Sequence, residues 1–357
     1  MEEKSQGQRV ALETLQVPSR GVRAGLPCGE QESGAVLRQL LAPIEERHQI
    51  KPQTVFCWLR GSQVHFQRTR AAAAYRRAQE SHHPLLDVPR LNFPIGELPA
   101  HHEPVEVFED AEGGAGCVFS LPLQDHQILE KSLLNQGLFP EDFLTFATLV
   151  HPLGRARTGP QALLGLYEEN SVLLVFSGSA VLHLCQLDFS LAALAKTLAE
   201  RWQLKPEQGR AVLDLAVPTA FLNTGRWKER LELLPVLDAH LGEIKDFLAD
   251  EFERLAHLLR AELETAGQLK AIRHPLLLTG EGARLYASFA FLRDVLPLEP
   301  EVLTAPGEKA GEGPGCAFSP LIILAEEALE RRRRARARLQ QAGTGAWRGL
   351  WRRLFLR

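Results

Sequence analysis

The chain has 357 residues, of which 45% are hydrophobic and 24% charged, so it is long enough to bury a large core in two or three cooperating domains. The formal net charge is −3, but residues 331–357 contain ten of the 41 basic residues, all Arg, and no Asp or Glu. The body therefore sets 31 basic against 44 acidic residues, a charge of about −13, which disfavours nucleic acid as a partner. We expect any charge-driven binding to lie in the basic tail.

The cysteines and the N-terminus indicate a compartment. The five cysteines are odd in number, far apart and free of any C-x-x-C spacing, which argues against a zinc site and a disulfide framework: Cys28, Cys57, Cys117, Cys185 and Cys316. The N-terminal "MEEKSQGQ" is polar and acidic, unlike a signal peptide. The most apolar window, residues 171–189, contains Gly, His and Asp and is more typical of two strands than of a membrane span. We therefore predict a cytoplasmic protein.

The first half of the chain predicts a mixture of helices and strands. Apolar spacing indicates a helix over 34–48, and residues 54–68 read as strand, turn and strand, pivoting on Arg60-Gly61-Ser62. A short helix is predicted over 71–80, followed by a loop-rich stretch that contains two His pairs. A buried strand at 117–123 and an amphipathic helix with a glycine stop at 124–138 complete this half.

The second half alternates strands and helices in the same way. Residues 161–189 predict a three-stranded meander with turns at "YEEN" and "SGS". Predicted helices follow, including a long helical stretch with a break near Pro235. Helices are predicted over 191–204, 205–216, 226–267, 283–296 and 320–341, the last of which closes the fold. A strand is predicted over 274–279, directly before the Gly-Glu-Gly turn, and a flexible linker over 306–315. This order favours an α/β protein with two lobes.

Four segments in this order resemble the PilM family of type IV pilus assembly and, more broadly, the FtsA branch of the actin-like ATPases; the cytoplasmic domain of GspL is related. They are "HQIKPQTVFCWLRGSQVHF", "VFSLPLQDHQILEKSLLNQGLFPEDF", the stretch from "LLGLYEEN" to "EQGRAVL", and "PLLLTGEGARLYASFAFLRDVL". The resemblance implies a two-lobed actin-like ATPase fold with a small inserted subdomain in the first lobe. The implied boundaries are 1–155 for the first lobe, about 52–145 for the insert, 156–305 for the second lobe, 306–330 for the linker and closing helix, and 331–357 for the tail.

The resemblance also shows where the phosphate-binding chemistry departs from the family. ATP-binding members clamp phosphates between two glycine hairpins, because only glycine lets backbone N–H groups approach the oxygens closely. The second hairpin has a pattern like Asp-Ile-Gly-x-x-x-Thr, and the matching residues here begin at Gly165 and end at Ser171, with Tyr167 where glycine is needed. Glu168 and Glu169 follow, where two carboxylates would repel phosphate.

The N-terminal phosphate hairpin and the adenosine-side turn of the family are also altered. The stretch "MEEKSQGQRVALE" contains no Asp-x-Gly and no glycine hairpin, and the later turn keeps Gly280 and Gly282 but places Glu281 between them. We therefore predict no catalytic residues and no cofactor, with the Gly-Glu-Gly turn kept for strand–helix packing and a positive φ. The alternative left open is an active ATPase in which Glu168 or Glu169 holds the metal.

Two further groups of residues are candidates for binding. His82-His83 and His101-His102-Glu103 have the chemistry of metal ligands, but their loop is proline-rich and fixes no spacing, so a polar loop is the preferred interpretation. In the PilM family the scaffold binds the cytoplasmic segment of a single-span membrane protein, PilN, near the inserted subdomain. That resemblance implicates Trp58, Arg60, Gln63 and the helix 127–134, although core packing of Trp58 is an equal alternative.

The basic tail has the pattern of a membrane-binding helix. Its apolar residues fall at i, i+3, i+4, i+7 and i+8, and its cations lie off that face: Trp347, Leu350, Trp351, Leu354 and Phe355, with Arg348, Arg352 and Arg353. Packing of this stripe on the acidic body is the alternative. The function predicted is a non-catalytic, PilM-like scaffold at the cytoplasmic face of the inner membrane, in a pilus or type II secretion-like complex, with an anionic membrane surface and a PilN-like protein as partners. A membrane-associated filament is a further alternative.

Overall fold

A computed structural model of the chain describes residues 2–3, 9–10, 22–23, 26–27, 29–59, 65–69, 106–109, 116–120, 123–155, 157–216, 236–287, 292–304, 320–330 and 333. The described strands are β1 (Glu2–Glu3), β2 (Arg9–Val10), β3 (Val22–Arg23), β4 (Leu26–Pro27), β5 (Thr54–Leu59), β6 (His65–Thr69), β7 (Glu106–Glu109), β8 (Gly116–Ser120), β9 (Phe139–Thr145), β10 (Pro160–Leu166), β11 (Ser171–Ser177), β12 (Ala180–Leu187), β13 (Leu276–Thr279) and β14 (Pro300–Val302). The helices are α1 (Glu30–His48), α2 (Leu123–Leu134), α3 (Val150–Gly154), α4 (Leu191–Arg201), α5 (Pro206–Ala216), α6 (Val236–Thr265), α7 (Ala283–Ala287), α8 (Leu292–Val295) and α9 (320–330), with a 3-10 turn at Phe146–Leu149.

The largest sheet in the described residues has five strands in the order β12-β11-β10-β13-β14. β10, β11 and β12 pair antiparallel through short turns, which is the meander that the sequence predicts over 161–189. β13 then pairs parallel with β10, and β14 parallel with β13. This order brings Gly165, near the end of β10, opposite Thr279 at the end of β13. The two glycine-containing turns of the sequence therefore leave the sheet side by side.

Alternation along the buried strands divides the side chains between two cores, one on each face of this sheet. Even-numbered residues of β10, such as Leu164 and Leu166, join a helix-side core with apolar residues of α4, α5, α6 and α7. Leu163 and Tyr167 join the opposite cluster, which also contains residues 144–150 and part of α9. We call this second cluster the junction core, because it joins the segment before residue 155 to the five-stranded sheet.

The strands before residue 150 pair differently from what their spacing suggests. The predicted strand–turn–strand exists as β5 and β6, but β5 pairs parallel with β9, whereas β6 pairs antiparallel with β8 in the sheet β6-β8-β7. The two strands belong to separate sheets and do not form a hairpin with each other. The predicted glycine stop is confirmed: α2 ends before Gly137, which has a φ of +71°, and the Leu138 N–H donates to the Leu133 carbonyl.

The described helices after residue 190 follow the predictions closely. α6 covers Val236–Thr265 of the stretch predicted over 226–267, and α7 and α8 cover parts of the helix predicted over 283–296; residues 226–235 and 288–291 lie outside the described residues. The closing helix α9 packs on the junction core, where Glu327 is only 5% exposed and accepts from Arg155 Nη2 at 3.1 Å. The predicted short helix at 71–80 and the linker at 306–315 lie outside the described residues, and the domain boundaries stay predictions.

Candidate functional site

The candidate site lies where β10, β11 and β13 end, at the turn that replaces a phosphate-binding hairpin. Leu166 and Ser171 form the last register pair of β10 and β11, and the Tyr167 N–H donates to the Asn170 carbonyl at 3.0 Å, which closes the turn. The Tyr167 side chain is only 3% exposed. Its position at the tip of a hairpin would normally be solvated, so its burial needs a cause.

The cause is an aromatic cluster formed by Trp58, Phe146 and Tyr167. The ring of Tyr167 meets each of the other two edge to face, with ring centroids 6.2 Å apart in both pairs. Such pairs stabilise a fold by about 0.5–1.5 kcal/mol beyond the burial of their surface. The turn is therefore folded against the junction core.

The Tyr167 ring occupies the space between the two glycine turns. A Cβ placed on Gly165 would lie 2.5 Å from Tyr167 Cε2, and one placed on Gly280 would lie 2.9 Å from Tyr167 Cδ1. Gly280 has a φ of +92°, and its added Cβ would also collide with the Leu166 carbonyl oxygen. Because these two residues are glycines, the Tyr167 ring and the Leu166 carbonyl can approach the backbone closely. These protein groups lie at the distance at which phosphate oxygens would need to approach.

Backbone donors at this edge are bonded to the protein itself. The Gly282 N–H donates to the Leu166 carbonyl at 3.1 Å, and the Leu191 N–H donates to the Tyr167 carbonyl at 3.2 Å. Gly282 is also packed tightly, since an added Cβ would lie 3.0 Å from both Leu166 Cβ and Leu191 Cδ2. The residues of this turn therefore do not fit a triphosphate: the Tyr167 ring fills the space between the glycines, and the Gly282 amide has a carbonyl partner.

The carboxylates beside the turn are paired with an arginine or are at least partly exposed to solvent. Arg210 Nη1 forms an ion pair with Glu168 Oε2, which ties α5 to the turn. Glu169 is exposed, and Glu281 is half-buried between the two glycines. The sequence predicts the clash of Glu168 and Glu169 with phosphate but not the pairing with Arg210, which lies 42 residues away in the chain.

Trp58, the residue predicted to face a partner, lies in strand β5. Its side chain is half-buried, packs against the junction core and contacts Tyr167. This packing favours the core alternative that the sequence leaves open, and contact with a partner stays a prediction. Arg60 and Gln63 lie outside the described residues, so their predicted role stays a prediction. Helix 127–134 is confirmed as part of α2.

Sequence analysis misses a small apolar surface near these elements. Four large apolar side chains are exposed among the described residues, and three of them flank the junction where α2 ends and β5 and β9 begin: Ile50 (52%), Leu134 (43%) and Phe139 (60%); the fourth is Leu321 (42%) on α9. Leu134 and Phe139 lie on either side of the Gly137 turn, and the Phe139 N–H donates to the Gln53 carbonyl. A phenylalanine two residues after a glycine stop is the only sequence signal of this surface.

Several sequence predictions fall outside the described residues. These are the two His pairs with Glu103 and the membrane-binding stripe of the tail, including Trp347, Trp351 and its arginines. Within the part of the chain that the structure describes, no helix is both long and apolar enough to cross a membrane.

Comparison with known proteins identifies the fold. No family model matches the chain, and none of the curated proteins matches it in sequence. The solved structure of the PilM-PilN type IV pilus biogenesis complex is similar, with 16% identity and a TM-score of 0.55 over 86% of this chain and 87% of that chain. Weaker likenesses are the ethanolamine utilization protein EutJ from Carboxydothermus hydrogenoformans (10% identity, 78% and 71% of the two chains, TM-score 0.43) and ADP-bound MreB5 of Spiroplasma citri (9%, 78% and 72%, 0.43).

The likeness to the PilM-PilN complex shows the fold of this chain. The chain has the α/β, two-lobed actin-like ATPase fold that the sequence predicts. Within that class, the fold is the one found in PilM, over most of both chains. At this identity the likeness shows the architecture alone.

Proposed function

We propose that this chain is a non-catalytic, PilM-like cytoplasmic scaffold of a type IV pilus or type II secretion-like assembly complex, and that it binds the cytoplasmic segment of a single-span inner-membrane protein. The observation that carries the proposal is the PilM fold combined with a phosphate turn that Tyr167 fills. A fold that keeps its two cores but not its phosphate space retains surfaces for binding and loses the means of phosphate chemistry. The absence of catalysis is part of the proposal.

The described surface that best suits a partner is the apolar junction of Ile50, Leu134 and Phe139. Exposed apolar groups near the end of a helix and the start of two strands can receive the apolar anchors of a short extended or helical peptide. Because Trp58 is packed in the junction core, Phe139 replaces it as the aromatic anchor of the proposed interface. The solved PilM was captured together with PilN, which supports a PilN-like partner for this chain.

The partner half of the proposal is tested with peptides that represent the cytoplasmic segments of single-span membrane proteins encoded beside this chain. We expect one of them to bind, and Phe139→Ala to weaken that binding at least about tenfold, as truncation of an aromatic hot spot does. Leu321→Ala is the matched control, because Leu321 is also an exposed apolar residue but lies on α9. Equal loss in both variants, or binding unaffected by Phe139→Ala, would place the interface elsewhere.

The non-catalytic half is tested by calorimetry with ATP, in the presence and absence of magnesium. We expect no binding tighter than millimolar, because the Tyr167 ring and the Leu166 carbonyl occupy the phosphate space. Micromolar binding that Glu168→Gln or Glu169→Gln abolishes would establish the competing function, an ATPase with unusual metal ligands. Concentration-dependent pelleting of the full chain would instead favour the filament alternative.

A further inference from the structure

Three donor groups that the proposed function does not use meet at the edge of the five-stranded sheet. His183 and Cys185 are alternate residues of the edge strand β12, so their side chains share a face of the strand. Glu262 reaches them from α6, and the imidazole nitrogen, the thiol sulfur and a carboxylate oxygen all lie within 4.8 Å of one another. His183 Nε2 is 3.3 Å from Glu262 Oε2.

The surroundings of the three groups combine an apolar wall with an open side. Cys185 packs against the helix-side core, whereas the side chains of His183 and Glu262 are 24% and 40% exposed. Burial and the neighbouring Glu262 raise the pKa of Cys185 to about 12, while a backbone hydrogen bond from Leu173 acts in the opposite direction. Because His183 and Glu262 are partly exposed, a small ion can reach the cluster from solvent, while the Cys185 sulfur is held against the core.

We propose that His183, Cys185 and Glu262 bind one divalent transition-metal ion, and that zinc is the ion this donor set suits best. Nitrogen, sulfur and oxygen ligands are those that zinc takes, and atoms this close together can converge on one tetrahedral centre. The fourth position, on the exposed side, is left to water. Metal binding displaces the proton of the Cys185 thiol to solvent, and the resulting thiolate and the Glu262 carboxylate together balance the two positive charges, so the occupied site is neutral.

The donor set distinguishes zinc from the commoner hard cations. Magnesium and calcium prefer oxygen ligands throughout, and a cysteine sulfur in the set selects against both. Bound zinc would link β12, at the edge of the sheet, to the long helix α6. This role is independent of partner binding at Phe139, so the proposal goes beyond the proposed function.

The sequence holds only half of the signal for this site. "HLC" in β12 places two soft donors on one face of a strand, but no C-x-x-C marks it, and Glu262 lies 79 residues after His183. Cysteine spacing therefore does not reveal this site, because its third ligand is distant in the chain.

The test is a titration of the metal-free full chain with Co²⁺ under reducing conditions, followed by competition with Zn²⁺. We expect the charge-transfer band of a cobalt–thiolate bond, intense visible bands of tetrahedral cobalt, and loss of both when zinc is added. Cys185→Ala is expected to abolish the charge-transfer band, and Glu262→Gln to raise the dissociation constant at least about 100-fold, since even outer-shell partners contribute 10- to 100-fold. Cys57→Ala, another half-buried strand cysteine, is the matched control and keeps the full spectrum.

The outcomes divide clearly. Retention of the charge-transfer band in Cys185→Ala would show that the metal binds other cysteines and would overturn the proposal, as would the absence of any thiolate band in the wild type. Glu262 is partly exposed, so Glu262→Gln is expected to fold with an unchanged circular dichroism spectrum even if Cys185→Ala does not. Undiminished cobalt affinity in a folded Glu262→Gln variant would also contradict the site. Zinc bound by the wild type is further expected to raise its melting temperature but not that of Glu262→Gln.

Discussion

At the scale of single residues, Tyr167 is buried where the resemblance implies a phosphate-binding hairpin, and its ring supports the fold. Its ring contacts Trp58 and Phe146 and lies against Gly165 and Gly280. We expect Tyr167→Ala to lower the free energy of unfolding by about 3–5 kcal/mol, the usual cost of removing a buried aromatic side chain. Urea denaturation followed by fluorescence measures this change.

Tyr167→Phe is the control for the ring itself. Because it keeps all the edge-to-face contacts, we expect it to change the free energy of unfolding by no more than about 1 kcal/mol. A stability of Tyr167→Ala close to that of Tyr167→Phe would mean that the ring does not support the fold as described. A gain of ATP affinity in Tyr167→Ala would show that the ring alone prevents ATP binding. We expect no gain, because the Gly282 amide remains bonded to the Leu166 carbonyl.

At the scale of elements, two glycines with positive φ show the difference between a helix stop and a packed turn. Gly137 ends α2 with a φ of +71° and has open space around it, whereas Gly280 has a φ of +92° and lies against Leu166 and Tyr167. We expect Gly137→Ala to cost about 1–2 kcal/mol, from the left-handed conformation alone. Gly280→Ala adds a steric clash and is expected to cost about 1–3 kcal/mol more. Equal costs, measured by urea denaturation, would show that the turn at Gly280 relaxes freely.

The tail is the second element with a measurable role. We expect the full chain to co-sediment with anionic liposomes at low salt, and less at high salt, because each Arg near such a surface contributes up to about 1 kcal/mol that salt screens. A chain ending at Glu330 keeps the described part of α9 and loses all ten tail arginines, so we expect it to stay in solution. If both chains sediment equally with the liposomes, the body and not the tail binds the membrane. If neither chain sediments, the chain does not bind anionic membranes.

Elements were more predictable from the sequence than contacts between them. The meander of β10, β11 and β12 and the helices α4, α5 and α6 follow local periodicity, so their positions were predicted correctly. The parallel pairing of β5 with β9 does not follow from local periodicity, because it joins residues about 85 positions apart in the chain. The sequence singles out Tyr167, but its contacts with Trp58 and Phe146 depend on that pairing, so the sequence alone does not decide between core packing and partner contact for Trp58.

At the scale of the whole molecule, the junction core makes the described segments depend on one another. Ile323, Leu324 and Ala328 of α9 are buried in it beside residues 144–150 and the five-stranded sheet. We expect a chain ending at 319 to be strongly destabilised, with a lower urea midpoint and increased binding of a hydrophobic dye. The chain ending at Glu330 is the control and should retain the wild-type midpoint. A chain ending at 319 that is as stable as this control would show that α9 does not contribute to the core.

The aromatic cluster also determines how the molecule can move. Trp58 and Phe146 precede residue 155, Tyr167 follows it, and their rings lie in one continuous core, so a hinge motion between these segments would expose buried rings to water. We therefore expect segments joined by this continuous core to keep one relative arrangement. A binding partner at the apolar junction would therefore meet the same surface at all times, and assembly on this chain would be controlled by the presence of the partner and not by a conformational cycle.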